Sequence, residues 1–325
     1  MTLLTVEALA IDLAREGARH RLVHDASLAV APGETLAVVG ESGSGKSLTA
    51  LAVMGLLPDE LSIAAGRVVF DGEDLATLPE ARLRALRGGA MAMIFQEPMT
   101  SLNPVLSIGR QLTEGMRLKL GLDRRAARAR AIELLAEVGV ADPERRLSAY
   151  PHQFSGGMRQ RVMIAMALAC RPRLILADEP TTALDVTIQA QILALMARLC
   201  REHGVGLVLI THNLGVVARY ADRVAVMYAG GVVETAPARA LYAAPAHPYT
   251  AGLLACVPRL DSERGTALNP IEGAPPDPMR PVPGCRYHPR CPRAGERCRR
   301  EAPPMVVAGG RAHACWHPLV SEAAA

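Results

Sequence analysis

A glycine-rich segment near the start of the chain is the first candidate for chemistry. It reads Gly40-Glu-Ser-Gly-Ser-Gly-Lys-Ser47 and fits the pattern G-x-x-x-x-G-K-[ST]. The apolar run Thr35–Val39 before it predicts a buried strand, and the residues from Ser47 to Gly55 predict a helix. Backbone N–H groups of such a loop, together with the helix dipole, attract an anion. The segment therefore predicts a site for a nucleoside triphosphate.

The side chains of this loop have separate expected tasks. Lys46 can reach the β- and γ-phosphates, and the Ser47 hydroxyl can ligate Mg²⁺. The three glycines allow positive φ angles and a close approach of the backbone to the phosphates. We expect the nucleotide to be contacted by Gly40, Ser42, Gly43, Ser44, Gly45, Lys46, Ser47 and Leu48.

Two adjacent carboxylates, Asp178 and Glu179, are the second candidate. They follow the apolar run Leu174–Ala177, which predicts a strand. An Asp at the end of a strand beside a phosphate-binding loop can hold Mg²⁺, and a neighbouring Glu can polarise the attacking water. A strand-end Asp-Glu pair alone is more often part of a turn. The interpretation therefore depends on the glycine-rich loop in the same chain.

The elements that position these residues form an alternating pattern. Apolar strands alternate with helical segments, which predicts an α/β fold: a phosphate-loop core with a mostly parallel sheet and helices on its faces. Short strands before residue 40 predict an antiparallel β subdomain, and residues from about 97 to 170 predict an inserted α-helical subdomain. We predict a core domain over 1–243 and an irregular, cysteine-rich C-terminal extension over 244–325, where prolines are frequent.

Composition limits the classes of protein. The chain of 325 residues has 36 Lys and Arg against 32 Asp and Glu, a net charge of +4 that is too small to argue for nucleic-acid binding. No run reaches the roughly 18 apolar residues of a transmembrane helix. The segment Met1–Glu7 lacks the basic residues and cleavage site of a signal peptide. We therefore expect a cytoplasmic protein, whose cysteines are mostly reduced.

A third segment points to a known family. Phe154-Ser-Gly-Gly-Met-Arg-Gln-Arg161 resembles the L-S-G-G-Q signature of the ATP-binding subunits of ABC transporters, with Phe for Leu and Met for Gln. Other motifs of that family follow its order: Gln96 at the Q-loop, Asp178-Glu179, Ala183-Leu-Asp185 at the D-loop, and His212 as the switch histidine. The resemblance covers about residues 3–240. It implies an ATPase that converts ATP and water to ADP and phosphate.

Three further segments resemble the peptide-importer branch of this family. They are Gln96-Glu-Pro-Met-Thr-Ser-Leu-Asn-Pro104, Ala183-Leu-Asp-Val-Thr-Ile-Gln-Ala-Gln191 and His247-Pro-Tyr-Thr250. The branch serves dipeptides, oligopeptides and, in some members, nickel or glutathione. It implies a peripheral subunit at the cytoplasmic face of the cell membrane. Its partners would be a second ABC ATPase subunit, identical or a paralogue, two membrane permease subunits and an extracytoplasmic solute-binding protein.

The resemblance also implies how two subunits meet. They would close head to tail, so that Ser155, Gly156 and Gly157 of one subunit contact the γ-phosphate bound by the other. Backbone and hydroxyl donors at a helix N-terminus suit that task. Asp185 would belong to the same nucleotide site as part of the D-loop.

Roles for the catalytic and Mg²⁺-binding residues follow from the same resemblance. Gln96 and Asp178 would join Ser47 at Mg²⁺, and Gln96 would couple the nucleotide to the membrane subunits. Glu179 would act as the general base. His212 would brace the γ-phosphate and the attacking water.

One family feature is absent from the sequence. The family usually stacks an aromatic ring on adenine ahead of the loop, but the segment from Ala14 to Arg21 contains no Phe, Tyr or Trp. Arg19 and His20 are the candidates to replace it. Either could stack on adenine instead, because a guanidinium plane, for example, can lie on a base.

Four of the seven cysteines, Cys285, Cys291, Cys298 and Cys315, lie in the C-terminal extension. Four clustered thiols in a reducing compartment favour a metal over disulfides. They lack the paired C-x₂-C of zinc ribbons, and their spacing suits a Cys₄ iron–sulfur site. The extension also resembles that of peptide-importer ATPases, some of which carry a [4Fe–4S] cluster. A zinc ion and free or redox-active thiols are the alternatives.

Two other classes of ABC ATPase share the core motifs. A soluble ATPase that acts on nucleic acid or ribosomes usually carries two ATPase units or long coiled-coil arms, whereas this chain has one unit and no heptads. An exporter subunit would lack the extended Q-loop and the cysteine-bearing extension. We therefore predict an ATPase that powers peptide import, with no nucleic-acid partner and with nickel or glutathione as alternative cargoes.

Overall fold

The computed structural model describes residues 2–96, 101–182, 184–257 and 270–320. The strands are β1 (Leu4–Arg15), β2 (Ala18–Val30), β3 (Thr35–Val39), β4 (Leu61–Phe70), β5 (Glu73–Asp74), β6 (Met91–Ile94), β7 (Leu174–Asp178), β8 (Gly206–Thr211), β9 (Arg223–Tyr228), β10 (Gly231–Pro237), β11 (Val306–Ala308) and β12 (Arg311–His313). The helices are α1 (Lys46–Met54), α2 (Glu80–Leu86), α3 (Ile108–Leu120), α4 (Arg124–Glu137), α5 (Pro143–Arg146), α6 (Gly156–Leu168), α7 (Val186–Glu202), α8 (Leu214–Tyr220), α9 (Ala238–Ala243), α10 (Pro248–Ala255) and α11 (Glu296–Arg300).

The chain divides into two compact units, and each consists of several segments. The first unit comprises Met1–Leu4, Val30–Thr35 and Phe70–Ile210. The second comprises Thr5–Ala29, Leu36–Val69 and Thr211–Ala325, so it contains the phosphate loop as well as the C-terminal extension. The division into domains 1–243 and 244–325 is drawn from the order of motifs along the sequence, and it stays a prediction.

The first unit contains the parallel strands that the sequence predicted. Strands β6 and β7 pair in parallel with Met91 opposite Leu174, and β7 pairs in parallel with β8 with Leu174 opposite Gly206. Every residue of β7 and β8 is buried, as expected for strands that are covered on both faces. Helices α3, α4 and α6 pack on one another and form the predicted helical insertion. The α/β class of the fold is therefore confirmed.

The second unit contains strands of two sheets. In one sheet the order is β2-β1-β4, and in the other it is β11-β12-β10-β9-β3. Strand β3 pairs in parallel with β9, which places Leu36 opposite Arg223. Strands β9 and β10 form an antiparallel hairpin, with Gly231 opposite Tyr228 at its turn. The pairing of β3 with this hairpin joins the segment Leu36–Val69 of the unit to the segment Thr211–Ala325.

The C-terminal extension contributes regular strands, which the expectation of an irregular extension missed. Strand β12 pairs antiparallel with β10, with Glu234 opposite His313, and β11 pairs antiparallel with β12. These strands have only three residues each, so local sequence carries little signal for them. They form because the edge of β10 offers backbone groups that need partners.

Helix α7 shows how the helices bury one face. Its buried side chains include Ile192, Leu193, Met196 and Leu199, which follow helical spacing. Asp185 caps the start of this helix, because its carboxylate accepts a hydrogen bond from the Ile188 N–H at 3.0 Å. Within the described ranges, the structure contains no helix that combines the length and apolar character needed to cross a bilayer.

A fully buried carboxylate anchors the segment that leads into the extension. Glu234 on β10 has no exposed surface. Its two oxygens accept hydrogen bonds from the N–H groups of Ala246 and His247, each at 2.8 Å. The Arg311 guanidinium of β12 lies 3.6 Å from the same carboxylate. The start of α10 and the last strand of the chain therefore share one buried anion.

We predict that Glu234→Ala lowers the free energy of unfolding by roughly 2–4 kcal/mol, because it leaves two buried N–H donors without their acceptor and removes the anion beside Arg311. Urea denaturation of the full chain measures this. The matched control is Glu296→Ala, which removes a carboxylate whose side chain is 74% exposed and should leave the stability nearly unchanged. Equal effects of the two substitutions would contradict the anchoring role of Glu234.

Candidate functional site

The phosphate loop in the second unit depends on glycine at its first position. Gly40 has a φ of 154°, and a Cβ built there would lie 2.1 Å from the carbonyl oxygen of Met227. The loop therefore touches the backbone of β9 at a distance that no side chain allows. At the other end of the loop, Gly45 has a φ of 97° and precedes α1 directly.

The lysine of the loop is buried and held by oxygens of the loop itself. The Lys46 Nζ donates to the carbonyl oxygens of Gly40 and Glu41, both at 2.8 Å, and approaches the Ser44 Oγ at 3.2 Å. Only 5% of the Lys46 surface is exposed. A buried ammonium needs such acceptors, because water cannot solvate it. Oxygens of the loop itself therefore fix the position of the ammonium.

The hairpin between β9 and β10 supports the loop from a second direction. The Gly230 N–H donates to the carbonyl oxygen of Ser44 at 3.1 Å, and the His24 N–H donates to the carbonyl oxygen of Gly230 at 2.6 Å. A Cβ at Gly230 would lie 2.3 Å from the carbonyl oxygen of Leu22. The hairpin turn is thus packed by backbone contacts on both sides.

The predicted carboxylates lie at the end of β7 in the first unit. Asp178 is 8% exposed and is the last residue of that strand. Glu179 follows with a φ of 45°, a left-handed conformation that is strained for a residue with a side chain. Its N–H donates to the carbonyl oxygen of Ile210 at 3.0 Å, which holds this conformation. Strain of this kind is often found at functional sites.

The Q-loop glutamine meets the second carboxylate. The Gln96 Nε2 donates to the Glu179 Oε2 at 3.1 Å, and the Thr182 hydroxyl donates to the same oxygen at 2.9 Å. The structure therefore brings together two of the three predicted catalytic residues. The other residues of the extended Q-loop at 97–100 lie outside the described part of the chain.

The signature segment begins a helix in the first unit. The Ser155 Oγ caps α6 and accepts from the Met158 N–H at 3.4 Å. Gly156 and Gly157 lie beside the side chains of Leu184 and Ile188, which a Cβ at either glycine would contact at 3.3 Å and 2.9 Å. The signature segment and the D-loop thus pack on each other. Ala183 of the D-loop lies outside the described residues.

The remaining predicted residues have simple positions. Ser47 and Leu48 lie in the first turn of α1, and His212 follows β8 with an exposed side chain. Arg19 and His20 lie at the start of β2, where Arg19 is exposed and His20 is half-buried. The sequence analysis missed Glu41, Tyr249 and Arg290, since their hydrogen bonds join parts of the chain that are far apart.

A cavity of about 170 Å³ borders the phosphate loop in the second unit. Glu41 and Ser44 line one side, and Pro276 and Arg286 of the extension line another. His24 also lines the cavity, and burial together with the Arg286 charge lowers the pKa of His24 to about 4. This histidine is therefore neutral near pH 7, and the cavity wall gains its positive charge from Arg286.

The four cysteines of the extension lie around one pocket. Cys285, Cys291, Cys298 and Cys315 line one small pocket, together with Trp316 and other residues. The Cys285 N–H donates to the carbonyl oxygen of Cys298 at 2.8 Å, which ties two of these positions together. Burial raises the pKa of Cys285 and of Cys291, and it raises the pKa of Cys315 to about 11.

The geometry of this pocket does not fit an iron–sulfur cluster. Its cavity volume is about 10 Å³, which is close to the space of a single water molecule. Within the part of the chain that the structure describes, no group of three or more His, Cys, Asp or Glu side chains is arranged to hold a metal ion. The donors are soft thiols that suit iron or zinc, but their arrangement forms neither site.

We predict that Gly40→Ala destabilises the full chain much more than Gly43→Ala. Both glycines have positive φ angles, but an added Cβ at Gly43 meets nothing within 4 Å, whereas at Gly40 it meets a backbone oxygen at 2.1 Å. The Gly43 change should cost about 1 kcal/mol from backbone strain alone, and the Gly40 change should cost more. Urea denaturation without nucleotide measures both, and equal losses would contradict this packing.

Two family models match the chain. A model of the ABC transporter family matches residues 23–182, and a model of the oligopeptide/dipeptide transporter C-terminal region matches residues 233–298. The chain is 50% identical over 320 residues to a putative peptide import ATP-binding protein of Brucella abortus (strain 2308), which covers 98% of this chain and 96% of that protein. It is 49% identical over 322 residues to the dipeptide transport ATP-binding protein DppD of Escherichia coli (strain K12), which covers 98% of each chain.

A solved structure supports the same assignment. The dimeric structure of a post-hydrolysis state of an ATP-binding cassette, bound to ADP and Pi, matches with a TM-score of 0.65 and 27% identity. The match covers 73% of this chain and 99% of that chain. Because the sequence matches extend over nearly the whole chain, the protein belongs to the ABC transporter family and is one of its ATP-hydrolysing cassettes.

Proposed function

We propose that this ATPase powers the import of dipeptides or oligopeptides across the cell membrane. The observation that carries the proposal is the match of residues 233–298 to the C-terminal region of oligopeptide/dipeptide transporters. Relatives named as peptide import and dipeptide transport ATP-binding proteins match the same chain over 98% of its length. The family-model match concerns the extension, and the matches to these relatives also include the phosphate loop. Together they support a cargo class and not only an ATPase.

In the proposed mechanism, the second unit binds the triphosphate. The backbone N–H groups at the start of α1 would face the phosphates, and Lys46 would exchange part of its contact with loop oxygens for the β- and γ-phosphates. The hydroxyl of Ser47 would ligate Mg²⁺. The roles of Asp178 and Gln96 at Mg²⁺ stay predictions from the sequence. Hydrolysis depends mainly on this positioning, because phosphoryl transfer needs little covalent chemistry from the protein.

The first unit would activate the water. Glu179 is the proposed general base, and its hydrogen bonds to Gln96 and Thr182 orient the carboxylate. His212, which belongs to the second unit, would brace the γ-phosphate and the attacking water. Because Gln96 donates a hydrogen bond to Glu179, a movement of Gln96 would change the orientation of the Glu179 carboxylate. In this way contact with the membrane subunits would be coupled to hydrolysis.

We propose that two such subunits act together. The segment Ser155–Gly157 would complete the nucleotide site of a partner, because the first N–H groups of a helix lack intrahelical acceptors and suit a γ-phosphate. Asp185 would contribute to the same interface, and Arg19 or His20 would stack on adenine. The partners of the pair are two permease subunits and an extracytoplasmic binding protein, with the ATPases at the cytoplasmic face of the membrane.

We predict that Glu179→Gln abolishes most ATP turnover and leaves ATP binding intact. The substitution removes a proton acceptor that acts only in the transition state, so turnover should fall about 10²–10⁴-fold. ATPase assays of the full chain with its transporter partners, together with nucleotide titrations, measure both quantities. Turnover within about threefold of the unaltered protein, well below the loss usual for a general base, would exclude Glu179 as the base.

The cargo is tested by uptake in cells that lack the chromosomal copy of this chain. Uptake of a labelled dipeptide should be lost, restored by the unaltered chain and not restored by Glu179→Gln. The same cells are assayed for nickel and glutathione uptake. Loss of nickel or glutathione uptake with normal dipeptide uptake would overturn the proposed cargo while leaving the ATPase assignment in place.

The [4Fe–4S] cluster and the zinc alternative stay predictions from the sequence, and the proposed mechanism uses neither. Anaerobically purified protein that carries the cluster is brown, with the broad visible absorption of thiolate-ligated iron, and Cys291→Ser loses that colour. Colourless protein with one equivalent of zinc would support the alternative. The geometry of the thiol pocket leads us to expect protein without iron or zinc, in which Cys285, Cys291, Cys298 and Cys315 react as free thiols.

A further inference from the structure

The phosphate loop contains a carboxylate, which is unexpected in a loop that binds a polyanion. Glu41 forms two hydrogen bonds with Arg290 of the C-terminal extension: Nη1 to Oε2 at 2.7 Å and Nη2 to Oε1 at 3.0 Å. The Arg290 side chain is 5% exposed and that of Glu41 is 27% exposed. The pair is therefore a mostly buried, two-pronged ion pair between residues 249 positions apart.

The backbone of Glu41 is held as firmly as its side chain. Its N–H donates to the hydroxyl of Tyr249, a fully buried residue, at 3.0 Å. Its carbonyl oxygen accepts a hydrogen bond from the Lys46 Nζ at 2.8 Å. Glu41 thus connects the phosphate-binding lysine to two residues of the extension, Tyr249 on α10 and Arg290.

Arg290 is itself fixed by the extension. Its Nε donates to the carbonyl oxygen of Glu272 at 2.9 Å, and its Nη2 approaches that of Ile271 at 3.2 Å. Its guanidinium carbon lies 5.8 Å from the ring centre of Tyr228. The residue ends a short 3₁₀ turn that directly precedes Cys291 of the thiol pocket. The position of Arg290 therefore depends on the folded extension.

We propose that Arg290 is a positioning residue for ATP binding, which acts through Glu41. It neutralises a carboxylate that would otherwise repel the triphosphate, and it holds the loop in the conformation that keeps Lys46 in place. Loss of Arg290 is therefore expected to weaken nucleotide binding. An unpaired Glu41 opposes negative phosphates, and the opposition grows with the charge of the nucleotide.

The test uses Arg290→Met, which keeps much of the side-chain volume and removes the charge. Isothermal titration of the full chain with ATP–Mg²⁺ and with ADP–Mg²⁺ should show weaker binding, by about tenfold for ATP and by less for ADP. Adding Glu41→Gln to this variant removes the unpaired carboxylate and should restore most of the ATP affinity. A purely structural role of the ion pair would give no such restoration.

Two controls complete the design. Arg300→Met removes an arginine from an exposed pair on α11 and should leave both affinities unchanged. Arg290→Lys keeps the charge but not the two-pronged geometry and should lie between the unaltered protein and Arg290→Met. Melting curves of each variant without nucleotide show whether it is folded. Unchanged ATP affinity in folded Arg290→Met, or a double variant no better than the single one, would overturn the proposal.

Discussion

The close approach of backbone to backbone at the phosphate loop is the constraint on which the second unit depends. Gly40 lies against the carbonyl of Met227, and Gly230 lies against the carbonyl of Leu22 while donating to Ser44. A Cβ at either glycine would force these segments apart. The strands and the hairpin around the loop therefore set its shape. This packing also positions Lys46, whose Nζ donates to the carbonyl oxygen of Gly40.

The C-terminal extension shares the hydrophobic core of this unit. Three of the six tyrosines in a chain poor in aromatic residues, Tyr228, Tyr249 and Tyr287, pack with ring centres 4.5–5.3 Å apart. Tyr228 comes from β9, whereas Tyr249 on α10 and Tyr287 both belong to the extension. Such contacts stabilise beyond the area they bury. The extension and the strands beside the phosphate loop therefore stabilise each other. Changes in the extension are therefore expected to reach the strands beside the loop.

In the first unit, the geometry at Glu179 depends on a strained backbone conformation that neighbouring contacts hold in place. Glu179 adopts a left-handed backbone directly after a fully buried strand, and its N–H is bonded to Ile210. Strain of this kind costs of the order of 1–3 kcal/mol and persists only where neighbouring contacts determine the geometry. Its result is a carboxylate that faces Gln96 and Thr182 instead of continuing the strand.

The sequence by itself determined the features that depend on local spacing: the strand, loop and helix at Gly40–Ser47, the buried parallel strands, the helical insertion and the family. It also named four thiols that would meet, but not the small volume between them, which spacing does not encode. Only the tertiary structure decided that β12 pairs with β10 and that Arg290, one arginine among many, binds Glu41. These contacts join residues far apart in the chain, so no local pattern distinguishes their partners until folding brings them together.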